Sequence, residues 1–366
     1  MEVPTLSRSR ALALRFPALS RRLYESRFWR GYRRFKKTGE TGEAAFRSLR
    51  ILHALSDGKF NRAVSAKIAK ERGRSTFAPL EHAIAWNIAS EVGAALAGLR
   101  QDGCYVFEER LPEAYCEELT RFAETTPGRL VDDRPGPGLP ECLVFDAEAP
   151  KAPRYNLPEA ELLQVEAVQE LLADASLLGI AQDFLGCAPI NDLVAMWWST
   201  RHGDEPCHSG AQLFHSDMDR IGFLKFFVYL TDVTPETGPH VYIKGTHRTQ
   251  PRNVRQDRRI LDEEVECLGD AQVEITGPRG TVITADTSGL HKGKIVGEGT
   301  RLVFQIEFTN SLFGADYVAP ELSRVHPSLA QRLRENPECY ERISPAACNI
   351  GVVDDCCREN ARVTCP

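Results

Sequence analysis

Residues 213–309 constrain the fold most, because apolar and polar side chains alternate there in short runs cut by Gly or Pro. The clearest run is 301–309, where Leu302, Phe304, Ile306 and Phe308 occupy alternate positions. Residues two apart on a strand point to one side. Four large apolar side chains therefore form one face, and Arg301, Val303, Gln305 and Glu307 form the other. A slip of one residue would bury the Arg301 guanidinium in the apolar layer, so the register is strongly specified. Residues 224–231, 240–244, 272–275 and 281–285 read the same way. Strands of regular length between Gly turns imply a barrel-like or sandwich architecture. The expected fold class is mainly β with flanking helices.

Residues 6–99 read as helices. Phe16, Leu19, Leu23, Phe28, Tyr32 and Phe35 recur at three- and four-residue steps, which suits amphipathic helices laid on a core with Arg and Lys outward. Ile84, Ile88, Val92 and Leu96 predict a helix over 81–99. Residues 103–107 form a short strand, and Leu111-Pro112-Glu113 opens a helix with Pro in its first turn and an acid at the positive end of its dipole. A loop at 135–138, helical turns over 159–186, a strand at 192–200 and a helix near 328–335 complete the reading. The domain division expected is a basic helical N-terminal extension (1–78), a catalytic β domain (79–318) and a Cys-rich C-terminal extension (319–366).

The net charge of -6 hides an asymmetry: residues 1–75 carry 19 Lys/Arg against 6 Asp/Glu, leaving the remainder strongly acidic. A basic leader can bind an acidic partner, but a solvated helical surface is the plainer reading. Nucleic acid is not an expected partner. No run approaches the roughly 18 apolar residues of a membrane span, and arginines interrupt every apolar run of the leader. A cytoplasmic location is expected, with organelle targeting by the Arg-rich N-terminus as runner-up. The 11 Cys are scattered and read as reduced thiols. Cys339, Cys348, Cys356, Cys357 and Cys365 crowd the tail without a CxxC pair, so thiols rather than a structural zinc site are expected there.

The chemistry-bearing residues lie within the alternating region. On a strand His215 and Asp217 project to one side, with Ser216 turned away. A His and a carboxylate suit divalent iron, and a third protein ligand leaves positions open for co-substrate and oxygen. His291 is the candidate third ligand. If Gly297-Glu298-Gly299 turns a hairpin, His291 pairs with Gln305 and shares a face with Arg301. Arg suits a carboxylate because its planar fork donates two charge-assisted hydrogen bonds. The plainer reading of Arg301 is an ion pair with Glu307 or Glu298.

The chain resembles the phytanoyl-CoA dioxygenase family of iron(II)- and 2-oxoglutarate-dependent oxygenases over residues 80–315. Phe214-His215-Ser216-Asp217 is similar to the family's His-x-Asp. The 224–233 strand with Gly238-Pro239 and Lys244-Gly245-Thr246-His247 is similar to its strand–loop–GSH segment, and 280–286 leading to His291 and Arg301 to its closing strands. The resemblance implies a double-stranded β-helix of the jelly-roll, cupin-like kind. It implies iron(II) held by His215, Asp217 and His291, and 2-oxoglutarate bound through Arg301. With O2 as second co-substrate, such an enzyme hydroxylates an unactivated C–H bond of a small molecule and releases succinate and CO2. Many relatives carry Ser or Thr two residues after the distal His, where this chain has Gly293; Lys225, Tyr229 or Thr231 could supply that contact. His247 reads as a structural hydrogen-bonder. Trp198 and Tyr155 are the candidate substrate-binding residues, Tyr155 within an Arg154-Tyr155-Asn156 loop. Two other readings remain: a catalytically silent fold relative that binds an acidic partner, and a cupin-like metal enzyme without 2-oxoglutarate.

Overall fold

The computed structural model describes residues 17–80, 84, 86–134, 138, 140–255 and 258–345, with side chains between residues 21 and 343. Three helices lead: α1 (Pro17–Thr38), α2 (Glu43–Ser56) and α3 (Lys59–Arg72). Helix α4 (Val92–Gln101), strand β1 (Cys104–Val106), helix α5 (Glu113–Thr125), and strands β2 (Gly128–Val131), β3 (Cys142–Leu143) and β4 (Arg154–Asn156) follow. Next come α6 (Glu159–Leu162), α7 (Glu166–Ala173), α8 (Ala175–Leu185), β5 (Ile190–Thr200), β6 (Phe223–Tyr229) and β7 (His240–Ile243). Helix α9 (Asp262–Val265), β8 (Gln272–Ile275), β9 (Val282–Ala285), β10 (His291–Gly293), β11 (Thr300–Thr309) and α10 (Pro327–Glu335) complete the main elements.

The strands form an eight-stranded sheet in the order β1-β9-β6-β11-β5-β4-β2-β3 and a three-stranded sheet in the order β10-β7-β8. From β6 onward the chain passes repeatedly between the two sheets: β6 large, β7 and β8 small, β9 large, β10 small, β11 large. That winding is a double-stranded β-helix. Its cause is visible in the alternation. Phe226, Val228, Leu302, Phe304, Ile306 and Phe308 pack on helices α4, α5, α7 and α8 through Leu99, Leu119, Leu171 and Leu178. The opposite face of the same strands, with Trp197, Phe227, Tyr229 and Val303, meets Tyr242 and Ile275 of the small sheet. Beyond the small sheet, Val241 and Ile243 pack on Phe214, Ile260 and Leu290.

One expected pairing differs. β10 does not form a hairpin with β11; it pairs with β7, Tyr242 opposite His291 and His240 opposite Gly293. β11 runs between β5 and β6. The reason lies in residues 294–298, which leave the small sheet and bond to the preceding loop, Lys294 N–H donating to Pro239 O and Gly297 N–H to Glu236 O. The predicted helix over 81–99 is also shorter. Residues 84, 86 and 87 are non-helical and a 3-10 turn spans Ile88–Glu91, while 81–83 and 85 lie outside the described residues. Trp86 is drawn out of helical geometry by its indole bond to Asp174 Oδ2 at 3.2 Å, a tertiary contact outweighing local periodicity.

The leading helices have their own core. Tyr24, Phe28 and Tyr32 of α1 pack on Leu49 and Leu52 of α2, Phe60 and Val64 of α3, and Ile221 and Phe313 of the β region. Among the described residues the buried stripe begins at Tyr24, and Leu23 is exposed, against expectation. Gly31 lets α1 and α2 approach closely: a Cβ there would lie 2.1 Å from that of Ala45. The outward basic side chains include Lys36, paired with Glu71 at 2.9 Å, and Arg34, paired with Glu40 at 3.1 Å. Exposed pairs of this kind contribute little to stability. The loop at 135–138 falls mostly outside the described residues, as do Phe16, Cys348, Cys356, Cys357 and Cys365. The described cysteines are free thiols. Among the described residues, no helix is long and apolar enough to cross a membrane.

Arg220 and Asp192 form a fully buried ion pair, Nε–Oδ2 2.5 Å and Nη2–Oδ1 2.7 Å, and Arg220 Nη1 also donates to Leu312 O and Ala315 O. It ties the start of β5 to the loop after Asp217 and to the segment following β11. Removing one partner of such a pair strands a buried charge, so Asp192→Ala should destabilise the protein by about 3–5 kcal/mol. Urea denaturation of the variant and parent measures it.

Candidate active site

His215 and His291 face each other across a single two-residue bridge, each donating its backbone N–H to the other's carbonyl at 3.0 Å. Directly opposed residues present their side chains on one face. The rings accordingly lie 4.3 Å apart, tilted by 47°. Each Nδ1 faces a carbonyl: His215 meets Leu213 O at 2.9 Å and His291 meets Gly289 O at 3.0 Å. A carbonyl only accepts, so both Nδ1 atoms are protonated and both Nε2 lone pairs are free to bind. They converge on Asp217, at 3.6 Å from Oδ1 for His215 and 3.4 Å from Oδ2 for His291. Ser216 turns away, its hydroxyl accepting from Gln250 Nε2 at 2.9 Å. Asp217 N–H donates to Thr287 O at 2.8 Å, which fixes the carboxylate's approach.

These three donors fit a divalent metal. Their ligand atoms lie within 4.8 Å of one another, and two neutral imidazoles with one carboxylate are the 2-His-1-carboxylate set of non-haem iron sites. Burial, then the neighbouring His291, depresses the His215 pKa well below the usual imidazole range, which keeps the ring neutral and ligand-ready. Burial alone would raise the pKa of Asp217; Lys225, His291 and His215 together outweigh it and hold the carboxylate well below its ordinary value.

Arg301 stands on the same interior. Its Nη2 donates to Ser199 Oγ at 3.2 Å and its Nη1 to Gly238 O, while its buried Nε has no partner among the described residues. The plainer reading of Arg301 fails. Glu307 pairs with Lys225 at 3.2 Å, and no acid among the described residues forms an ion pair with Arg301. Burial lowers its pKa. A desolvated cation without an anion is costly, and the carboxylate of 2-oxoglutarate would relieve that cost. Gly293 also finds its reason: a Cβ there would sit 3.0 Å from Arg301 Nη2. The guanidinium occupies the space a Ser or Thr side chain would need.

His240 is a residue that the sequence reading missed. It lies opposite Gly293, its ring stacks on His291 at 5.5 Å and 22°, and its Nε2 is buried without a partner among the described residues. Burial, then His291 and Arg301, push its pKa well below the usual range, so the ring is neutral. Its signal was present in the alternation, since His240 and Tyr242 flank the apolar Val241.

Four candidate residues are placed otherwise than expected. Lys225 faces the interior, but its Nζ lies 2.7 Å from Asp217 Oδ2 and 3.2 Å from Glu307 Oε2, so it neutralises carboxylates instead of meeting 2-oxoglutarate. Thr231 lies past the end of β6. Its hydroxyl accepts from Leu302 N–H at 3.2 Å, and it lines a groove on the helix side together with Trp198. Trp198 points to that side too: its indole donates to Ala123 O at 3.2 Å and stacks on Phe145 at 4.4 Å. Tyr155, opposite Trp198, is buried in the same layer and its hydroxyl accepts from Lys151 N–H at 2.6 Å. The physical reason is parity. Arg301 is opposite Ser199, so Trp197 and not Trp198 shares the interior face, and Arg154 and Asn156 flank Tyr155 on that face. His247, as expected, is structural, with Nε2 3.3 Å from Arg100 O.

Residues 99–294, more than half of the chain, match the family described as Phytanoyl-CoA dioxygenase (PhyH). The chain belongs to the phytanoyl-CoA dioxygenase family. It is a 2-oxoglutarate-dependent dioxygenase, with iron(II) as cofactor and 2-oxoglutarate and O2 as co-substrates. No curated protein matches the sequence. Among solved structures, EctD from S. alaskensis with bound Fe is 19% identical, covering 76% of this chain and 95% of its own, with a TM-score of 0.42. HygX from Streptomyces hygroscopicus with nickel and 2-oxoglutarate bound is 18% identical, covering 64% and 92%, with a TM-score of 0.41. AviO1 from Streptomyces viridochromogenes Tue57 is 19% identical, covering 59% and 94%, with a TM-score of 0.39.

The buried charges of this family member are interdependent. Lys225→Met should leave the buried Asp217 carboxylate unmatched and Glu307 without its cation, at a cost of about 3–5 kcal/mol, and adding Glu307→Gln should restore part of that loss. A double-mutant cycle by thermal denaturation of the metal-free protein measures the coupling.

Proposed function

We propose that this enzyme hydroxylates an unactivated C–H bond of a small metabolite, natural-product intermediate or acyl conjugate. His215, Asp217 and His291 hold the iron, and Arg301 binds the distal carboxylate of 2-oxoglutarate. The observation that carries the reading is Arg301 itself, a buried cation without a carboxylate partner among the described residues, on the same interior side as the three converging donors. Bound iron supplies the activation of oxygen that hydroxylation of an unactivated carbon requires.

The chain's own residues do the rest. The Leu213 and Gly289 carbonyls hold the Nδ1 protons of the two ligand histidines, so that only Nε2 can face the metal. Lys225 keeps the Asp217 carboxylate ionised and oriented. Ser199 and the Gly238 carbonyl aim the Arg301 fork before the co-substrate arrives, a preorganisation that lowers the cost of binding. We assign His240 the contact that Gly293 cannot make, its Nε2 accepting or donating a hydrogen bond beside the co-substrate. Apolar Phe227 and Val303 limit water at this end of the cavity.

Succinate release from purified protein with iron(II), ascorbate, 2-oxoglutarate and a metabolite library tests the activity; no 2-oxoglutarate turnover with any member would overturn it. His215→Ala should abolish metal binding in a calorimetric titration. Arg301→Ala should raise the KM for 2-oxoglutarate by about 30-fold or more, the loss of at least ~2 kcal/mol from a buried charged contact. His240→Phe should raise the same KM by about 3–10-fold with kcat little changed, as for one neutral hydrogen bond. A library of carboxylated and neutral members serves equally well here.

A further inference from the structure

We propose that Arg154 anchors an anionic group, a carboxylate or a phosphate monoester, carried by the molecule to be hydroxylated. The inference rests on the reading above and names the class of substrate. Arg154, Ser199 and Arg301 lie side by side on β4, β5 and β11, two strand spacings or about 10 Å from end to end. All three face the interior. The Arg154 guanidinium lies 4.2 Å over the ring of Trp197, one step along the strand from Ser199, on the row that pairs with Val303. It therefore leans from the Arg301 row in the direction of Gln305, Glu307 and the metal ligands.

The charges of the interior leave Arg154 unmatched. Lys225 and the metal answer Asp217 and Glu307. The two carboxylates of 2-oxoglutarate would be answered by the metal and Arg301. Arg154 donates its Nε to Asn156 Oδ1 at 2.6 Å, and no carboxylate among the described residues pairs with it. Its Nη atoms form no hydrogen bond among the described residues, and the residue is partly buried. Burial, then the charges of Arg301 and Arg259, pull its pKa down to about 9, the mark of a cation held among cations. It stays charged at neutral pH. A guanidinium with its position set by an aromatic face and an amide, and its Nη edge open, presents the fork that binds carboxylate and phosphate. The nearby ring of Trp197 would then lie beside the carbon chain of the bound molecule.

The full-length protein loaded with zinc(II), which has no redox chemistry, and with 2-oxoglutarate allows binding to be read without turnover. Hexanoate, hexyl phosphate and methyl hexanoate are the probes, titrated by calorimetry. At least one of the two anions should bind and the ester should not. R154L should weaken the anion by about tenfold or more, the loss of a charge-assisted pair, and leave 2-oxoglutarate affinity within about twofold. R154K, which keeps the charge but not the fork, should recover part of the affinity and guards against a folding defect. Equal binding of ester and anion, no binding of either anion, or a loss of 2-oxoglutarate affinity in R154L would each overturn the proposal. Failure of the underlying hydroxylase reading looks different: the unaltered zinc-loaded protein would not bind 2-oxoglutarate at all.

Discussion

The pair of backbone hydrogen bonds between His215 and His291 is the constraint on which the site depends. It joins a loop that carries two candidate ligands to the end strand of the small sheet. Because the bonds run in both directions, the two side chains have no choice of face. The remaining degrees of freedom are removed locally: Nδ1 bonds to the Leu213 and Gly289 carbonyls set the ring rotations, and Asp217 is tied to Thr287 through its own N–H. Three ligand atoms thus converge through short-range geometry once the sheets are in place. The tighter the bridge, the less the protein must reorganise to accept a metal.

Charge is distributed inside the barrel in a way that follows from this arrangement. A buried carboxylate at Asp217 requires a nearby cation, which Lys225 supplies while also answering Glu307. Burial pushes the Glu307 pKa up to about 8, opposed by Lys225. Lys225 is thereby committed to these acids. Among the described residues, Arg301 and Arg154 are then cations of this interior without an acid partner. An uncompensated, desolvated charge is destabilising in a resting protein, which is the physical ground for the two anion contacts proposed above.

Much of this was legible from residue order. The faces of β11 follow from the alternation of Leu302, Phe304, Ile306 and Phe308, and they are the faces observed. Ser216 turns from its neighbours as expected, although His215 lies in an isolated bridge and Asp217 outside any strand. The pairing of β10 was not legible. A Gly-containing turn between two strands suggests a hairpin, yet here β10 and β11 lie in opposite sheets. His291 and Arg301 still share the interior, because each faces inward from its own sheet. Trp197 and Trp198 show a finer limit: adjacent residues on a strand always point apart, and which one faces inward depended on the partner register with Arg301 and Val303.

The amino-acid sequence by itself determined the strand faces, the donor types at His215, Asp217 and His291, and an arginine on the same interior side. These depend on nearest-neighbour geometry, in which the two-residue period of a strand leaves little freedom. Only the tertiary structure decided that Lys225 serves Asp217 and Glu307, that Gly293 leaves room for the Arg301 guanidinium, and that His240 and Arg154 enter the same interior. Those relations join residues on different strands and in different sheets. They depend on which strands lie side by side and which sheets face each other, and no local pattern carries that information.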